Sequence, residues 1–191
     1  MISIDKDKDA LIIVDLQNDF CPGGALAVLD GDLIVPVVNE LINRFSKVFA
    51  TQDWHPPNHI SFKEQGGIWP PHCVAGTVGA KLHPGLKIQG EIRIRKGADP
   101  AKEAYSGFQG TDLAERLREA YIRRVFVCGL ATDYCVKATA IDALKNGFDL
   151  VVLEDAVKGV EVNPGDSEAA FDEMRRAGAI IANSDELSPA S

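Results

Sequence analysis

Val125-Phe126-Val127-Cys128-Gly129-Leu130-Ala131-Thr132-Asp133-Tyr134-Cys135-Val136 opens as a short apolar, β-prone run and breaks at a glycine. A polar turn follows, and a helical pattern starts at Cys135. Thr132 or Asp133 is placed to cap that helix, because their side-chain oxygens accept from its free N–H groups. Gly147, just after Lys145-Asn146, is placed to stop it. Leu150–Leu153 then reads as a buried strand. The stretch is therefore a strand–turn–helix–strand unit with a thiol at the helix N-terminus.

That position matters for the thiol. A free cysteine ionises near pH 8.5, so only a few per cent is thiolate at neutrality. Making thiolate dominant takes about 2.7 kcal/mol. A helix N-terminus supplies about 0.3–1 kcal/mol, more when partly buried. A nucleophilic Cys135 therefore needs a base or a cation from elsewhere. Otherwise it is a small buried apolar side chain, the common fate of a free cysteine.

The same alternation extends outward. Ala10–Val14, Val48–Thr51, Ile92–Arg95 and Ala179–Ala182 read as strands. Asp32–Ser46 has helical periodicity, with Ile34, Val37, Val38, Leu41, Ile42 and Phe45 on one face and Pro36 near its start. Asp112–Ala120, capped by Thr111, and Ser167–Ala177, ended by Gly178, complete the helices. Strands alternating with helices predict an α/β fold: a three-layer sandwich around a central, mainly parallel six-stranded sheet. The 191 residues suit one domain, 1–191. From Gln52 to about Glu91 the periodicity dissolves into an insert rich in proline, holding both tryptophans and all four histidines. An irregular stretch of that length and composition points to function rather than disorder.

Composition excludes several classes. A net charge of −8 argues against a nucleic-acid partner. No apolar run approaches the roughly 20 residues that span a bilayer, so no membrane partner is expected. The charged N-terminus lacks a signal-peptide apolar region, and a cytoplasmic location is expected. Cys21, Cys73, Cys128 and Cys135 have neither zinc-finger nor redox spacing. Homo-oligomerisation is left open.

Ligands of open α/β sheets bind beyond the carboxyl ends of the strands. Asp15, Lys96 and Cys135 each lie at or just past such an end. Singly, Asp15 reads as a turn residue and Lys96 as a solvated strand terminus. Together they supply the base and cation that Cys135 requires. A second group is Asp53-Trp54-His55 with His59 and His72 downstream. Asp53 and His55 point the same way if the chain stays extended. One carboxylate and two imidazoles suit a divalent ion, with zinc expected and iron or manganese also accommodated.

These residues resemble the nicotinamidase/pyrazinamidase family of isochorismatase-like cysteine hydrolases, from about Ala10 to Ala182. The specific pieces are Ile13–Phe20, Asp53-Trp54-His55-Pro56, Trp69–Val74 and Gly129–Val136. The resemblance implies Asp15, Lys96 and Cys135 as a catalytic triad and Asp53, His55 and His72 as metal ligands. His59 matches a position that ligates in only some members. Phe20 and Trp69 match residues that hold the substrate ring. The backbone amides of Ala131 and Cys135 match an oxyanion hole, with a cis Leu130–Ala131 peptide beside it. The implied reaction converts nicotinamide, the small-molecule substrate, to nicotinate and ammonia through a thioester, in NAD salvage, with pyrazinamide as a further substrate. Three other readings compete: an amidase for N-carbamoyl or ureido compounds, a binding protein without chemistry, and hydrolysis by a metal hydroxide with Cys135 as bystander.

Overall fold

The computed structural model describes residues 1–189. In chain order the elements are β1 (Ile2–Ile4), β2 (Asp9–Val14), α1 (Val35–Ile42), β3 (Val48–Asp53), β4 (Ile92–Lys96) and α2 (Leu113–Glu119). They continue as β5 (Arg124–Leu130), α3 (Lys137–Lys145), β6 (Asp149–Lys158), α4 (Asp166–Ala177), β7 (Ile180–Ala182) and β8 (Leu187–Pro189). The main sheet has six parallel strands in the order β4-β3-β2-β5-β6-β7. The chain leaves β2 toward β3 and β4, then returns to lay β5 on the other side of β2. The rim between β2 and β5 is thus the switch point where α/β sheets bind ligands.

Strand alternation builds the three layers. Leu11 and Ile13 of β2, with Phe126 and Cys128 of β5, pack on one face with Val35, Val38, Leu41 and Ile42 of α1. Ala10, Ile12 and Val14, with Val125 and Val127, pack on the other face with α2, α3 and α4 through Leu117, Ala140 and Met174. Each such aliphatic side chain contributes about 1.5–3 kcal/mol when fully buried.

Local departures from expectation have identifiable causes. Pro36 falls in the first turn of α1, and a separate 3-10 turn, Gly31–Ile34, precedes it. Neither Thr132 nor Asp133 caps the helix after β5. A wide turn, Thr132–Val136, holds Cys135, and the α-helix begins only at Lys137. The Asp133 carboxylate instead accepts from the Val160 and Glu161 amides, both at 2.9 Å. Two amides beyond a strand end compete for it more strongly than one helix N–H. The short pair β1–β8, parallel and separate from the main sheet, was not expected.

Gly129 marks the join between β5 and the cysteine turn. Its φ is +113°, and a Cβ there would lie 2.1 Å from the Val14 carbonyl oxygen. Gly129→Ala must therefore push apart β2 and β5 at their functional ends. We expect a loss of about 3 kcal/mol or more, read as a melting temperature lowered by ~6–12 °C. An unchanged melting temperature would contradict this packing.

Candidate active site

Three strand ends supply one cluster. Asp15 follows β2 in a left-handed conformation, φ +44°, and its amide donates to the carbonyl and hydroxyl oxygens of Thr51 on β3. The Thr51 hydroxyl donates in turn to Asp15 Oδ1 at 2.6 Å. Lys96, the last residue of β4, is fully buried. Its Nζ lies 2.9 Å from Asp15 Oδ2 and 2.5 Å from Asp53 Oδ1, and donates to the Ala104 carbonyl at 3.0 Å. The same Nζ is 3.4 Å from Cys135 Sγ. Ligand atoms of Asp15, Asp53 and Cys135 all fall within 4.8 Å of one another. The Lys96–Asp15 contact is an ion pair whose angles leave Asp15 Oδ2 without a hydrogen bond among the described residues. That buried oxygen is an acceptor without a donor, close to the Cys135 sulfur.

The electrostatics follow from burial and one cation. Burial pushes the Cys135 thiol well above its usual range, against the pull of Lys96. Burial also raises Asp15, and the Asp53 charge adds to it while Lys96 opposes. Burial would raise Asp53 too, but Lys96 foremost, with the His55 and His72 rings beside it, wins and holds it well below the carboxylate range. Lys96 stays charged despite burial because two carboxylates surround it. The cysteine, the two aspartates and the lysine thus titrate as one coupled group.

Asp53 belongs to both clusters, which the sequence did not reveal. While Oδ1 faces Lys96, Oδ2 lies 3.3 Å from His55 Nε2 and 3.7 Å from His72 Nε2. The far nitrogens are anchored: His55 Nδ1 donates to the Gly97 carbonyl at 2.9 Å, and His72 Nδ1 donates to the Pro70 carbonyl at 2.8 Å. A carbonyl only accepts, so in neutral rings each Nε2 lone pair faces the Asp53 carboxylate. Two lone pairs and an anion converging in a buried space call for a cation between them. The donor set therefore fits a divalent metal ion. His59 is differently engaged. Its Nε2 donates to the Lys102 carbonyl at 2.9 Å and its Nδ1 bonds to the Ser61 hydroxyl at 2.7 Å, leaving no lone pair for the group.

A cleft lies beside Cys135, with Asp53 and His72 on its lining. Phe20 and Trp69 line it, with Tyr105, Tyr134 and Leu130. The Trp69 indole donates to the Tyr105 hydroxyl at 3.0 Å. Ala131 lines the cleft after the cis Leu130–Ala131 peptide, and its amide has no hydrogen-bond partner among the described residues.

Sequence reasoning missed the supports. Gln17 bridges β3 to the insert: it donates to the Asp53 and Ala80 carbonyls and accepts from the Asp53 amide. Asp19 Oδ2 accepts from the Cys73 amide next to His72. Thr51 was legible in principle, because period-two alternation puts it on the same face as Asp53.

A model of the isochorismatase domain matches residues 9–186. The chain belongs to the isochorismatase family. It is 45% identical to a nicotinamidase of Escherichia coli, over 90% of this chain and 93% of that protein. Among solved structures, the pyrazinamidase of Pyrococcus horikoshii in complex with zinc is 52% identical, with a TM-score of 0.88 over 92% of this chain and 99% of that one. PnC1 from L. infantum in complex with nicotinate is 42% identical, with a TM-score of 0.94 over 99% of each chain.

Proposed function

We propose that this protein is a nicotinamidase, an amidohydrolase that converts nicotinamide to nicotinate and ammonia through a thioester on Cys135, with pyrazinamide as a further substrate. One observation carries the reading: Lys96 Nζ bridges the Asp15 carboxylate and the sulfur of Cys135, which lines an aromatic-walled cleft. Burial raises the proton affinity of Asp15, which makes it a better acceptor for the thiol proton than an ordinary carboxylate, while the pull of Lys96 on Cys135 offsets part of the burial that holds the proton on sulfur. The Lys96 ammonium stabilises the charge that moves between them. The sulfur then attacks the carboxamide carbon, and the Ala131 and Cys135 amides stabilise the oxyanion. Such donors contribute about 3–4 kcal/mol to a transition state. Asp15 returns its proton to the departing nitrogen, releasing ammonia. Water activated by the regenerated Asp15 carboxylate hydrolyses the thioester to nicotinate and restores the thiol.

Phe20 and Trp69 hold the ring, with Tyr105 fixing the indole. Asp53, His55 and His72 would hold a divalent ion, with zinc the best match and iron or manganese compatible with the same donors. When bound, that ion supplies a Lewis-acid site for the pyridine nitrogen. Side chains that fix the ring with its amide facing sulfur convert binding into orientation. A cytoplasmic setting suits the four free, buried cysteines.

An ammonia-release assay with and without chelator tests this. Nicotinamide should give equimolar nicotinate and ammonia. Chelation should lower the rate about 100-fold, and added zinc should restore it. Turnover of N-carbamoyl compounds but not nicotinamide, unaffected by chelation, would favour the carbamoyl-amidase reading instead.

A further inference from the structure

The chain that leaves β2 is stitched to the insert at Asp19, a half-buried residue. Asp19 Oδ2 accepts from the Cys73 amide at 2.7 Å, and Oδ1 accepts from the Ala25 amide at 3.1 Å. The Asp19 amide donates to the Gly79 carbonyl at 3.0 Å. A Cβ at Gly79 would lie 2.1 Å from Asp19 Oδ2, so the carboxylate sits directly against bare backbone. Both of its oxygens are taken by N–H donors.

Cys73 is the unusual partner. It follows His72 directly, it is fully buried, and its φ is +46°. A cysteine in the left-handed region is strained, and such a conformation persists only where its surroundings over-determine it. Here the amide is held by Asp19, the side chain is packed in the core, and the carbonyl accepts from the His55 amide at 3.0 Å. The last bond is the telling one. The two histidine rings are fixed at Nδ1 by the Gly97 and Pro70 carbonyls. The backbones beneath them are joined to each other at Cys73.

We propose that Asp19 is a positioning residue for the metal group: by locking Cys73 in its left-handed conformation it sets the spacing of His55 and His72 before an ion arrives. The proposal rests on the assignment of Asp53, His55 and His72 as metal ligands. Ligands placed in advance cost less to order on binding, so losing the lock weakens the hold on the ion. A carboxylate suits the task because both oxygens accept. Asparagine, of the same shape, turns its NH2 toward one of the two N–H groups.

Competition for zinc against a chromophoric chelator, on the full-length protein, tests this. Asp19→Asn should raise the zinc dissociation constant about 10–100-fold. Asp133→Asn is the comparison, because it disturbs a carboxylate that also accepts from two backbone amides, those of Val160 and Glu161. It should bind zinc as the parent does. A second measurement needs no substitution. Hydrogen exchange of the Cys73 amide should be slow in the metal-free parent and change little when zinc is added, because the lock precedes the ion. Zinc held by Asp19→Asn as tightly as by the parent would overturn the proposal. Equal weakening in Asp133→Asn, or a Cys73 amide protected only once zinc is bound, would do the same. A parent that takes up no zinc would overturn the metal assignment first, and the proposal with it.

Discussion

Cys135→Ala is expected to lower ammonia release from nicotinamide by about four orders of magnitude or more, while metal content and fold stay intact. The expectation follows from how the site divides its work. Asp15, Lys96 and the Ala131 amide remain in the variant, yet none of them can form the acyl bond. Removing the nucleophile of a hydrolase that uses covalent catalysis costs up to about six orders of magnitude, and residual rate comes from binding and oxyanion donors alone. The fold should tolerate the change, because alanine keeps the Cβ of this buried turn residue and the lost hydrogen bond, from Lys96 to the sulfur at 3.4 Å, is long. Activity within tenfold of the parent would instead assign the chemistry to a metal-activated water. Measured kcat, zinc content and melting temperature on the same sample separate these outcomes.

Lys96→Met should produce the second large effect, on stability as well as rate. The substitution keeps the length of the chain but removes the charge between Asp15 and Asp53, both buried. Breaking a buried ion pair from one side costs about 3–5 kcal/mol, because an uncompensated charge remains. With the ammonium gone, the Thr51 hydroxyl is left to oppose the burial that raises Asp15, and Asp53 loses the foremost influence holding it down. The sign with pH follows. A carboxyl whose folded-state pKa lies above its unfolded value binds protons more tightly when folded, so stability falls as pH rises from the unfolded value through the folded one. The metal-free variant should therefore regain part of its lost melting temperature between pH 8 and pH 5. Thermal melts of the metal-free parent and variant across that range check it. A deficit that is flat or grows toward acid would contradict the ion-pair account. Turnover should fall about 10²–10³-fold, as when one preorganised electrostatic donor is lost.

Much of the fold was legible because its signals are local. Apolar runs of four or five residues such as Ala10–Val14 and Val125–Cys128 locate the central strands, and alternation with helices orders them into a parallel sheet. Strand β6 extends further than its apolar run, to Lys158, because exposed Glu154 and Asp155 interrupt the pattern without ending the strand. The β1–β8 pair was illegible, since three-residue strands carry no periodicity. In the site, strand-end positions pointed to Asp15, Lys96 and Cys135, and the structure brings these together. What spacing could not show is a residue with two partners. Asp53 turns one oxygen to Lys96 and the other to two histidines, so the candidate metal ligands and the lysine beside the sulfur share a carboxylate. Likewise Gln17 holds the Asp53 backbone from 36 residues away. Such contacts depend on the register of β2, β3 and β4, which periodicity leaves unspecified.

The proposed reaction bonds the amide carbon to the Cys135 sulfur during turnover. Rapid acid quench of the metal-loaded enzyme with saturating nicotinamide, followed by intact mass and peptide mapping, reads that bond directly. The account predicts a nicotinoyl adduct on the peptide carrying Cys135, formed and lost at rates compatible with kcat. Full turnover in a time course fast enough to capture each cycle, with Cys135 never acylated, would contradict it.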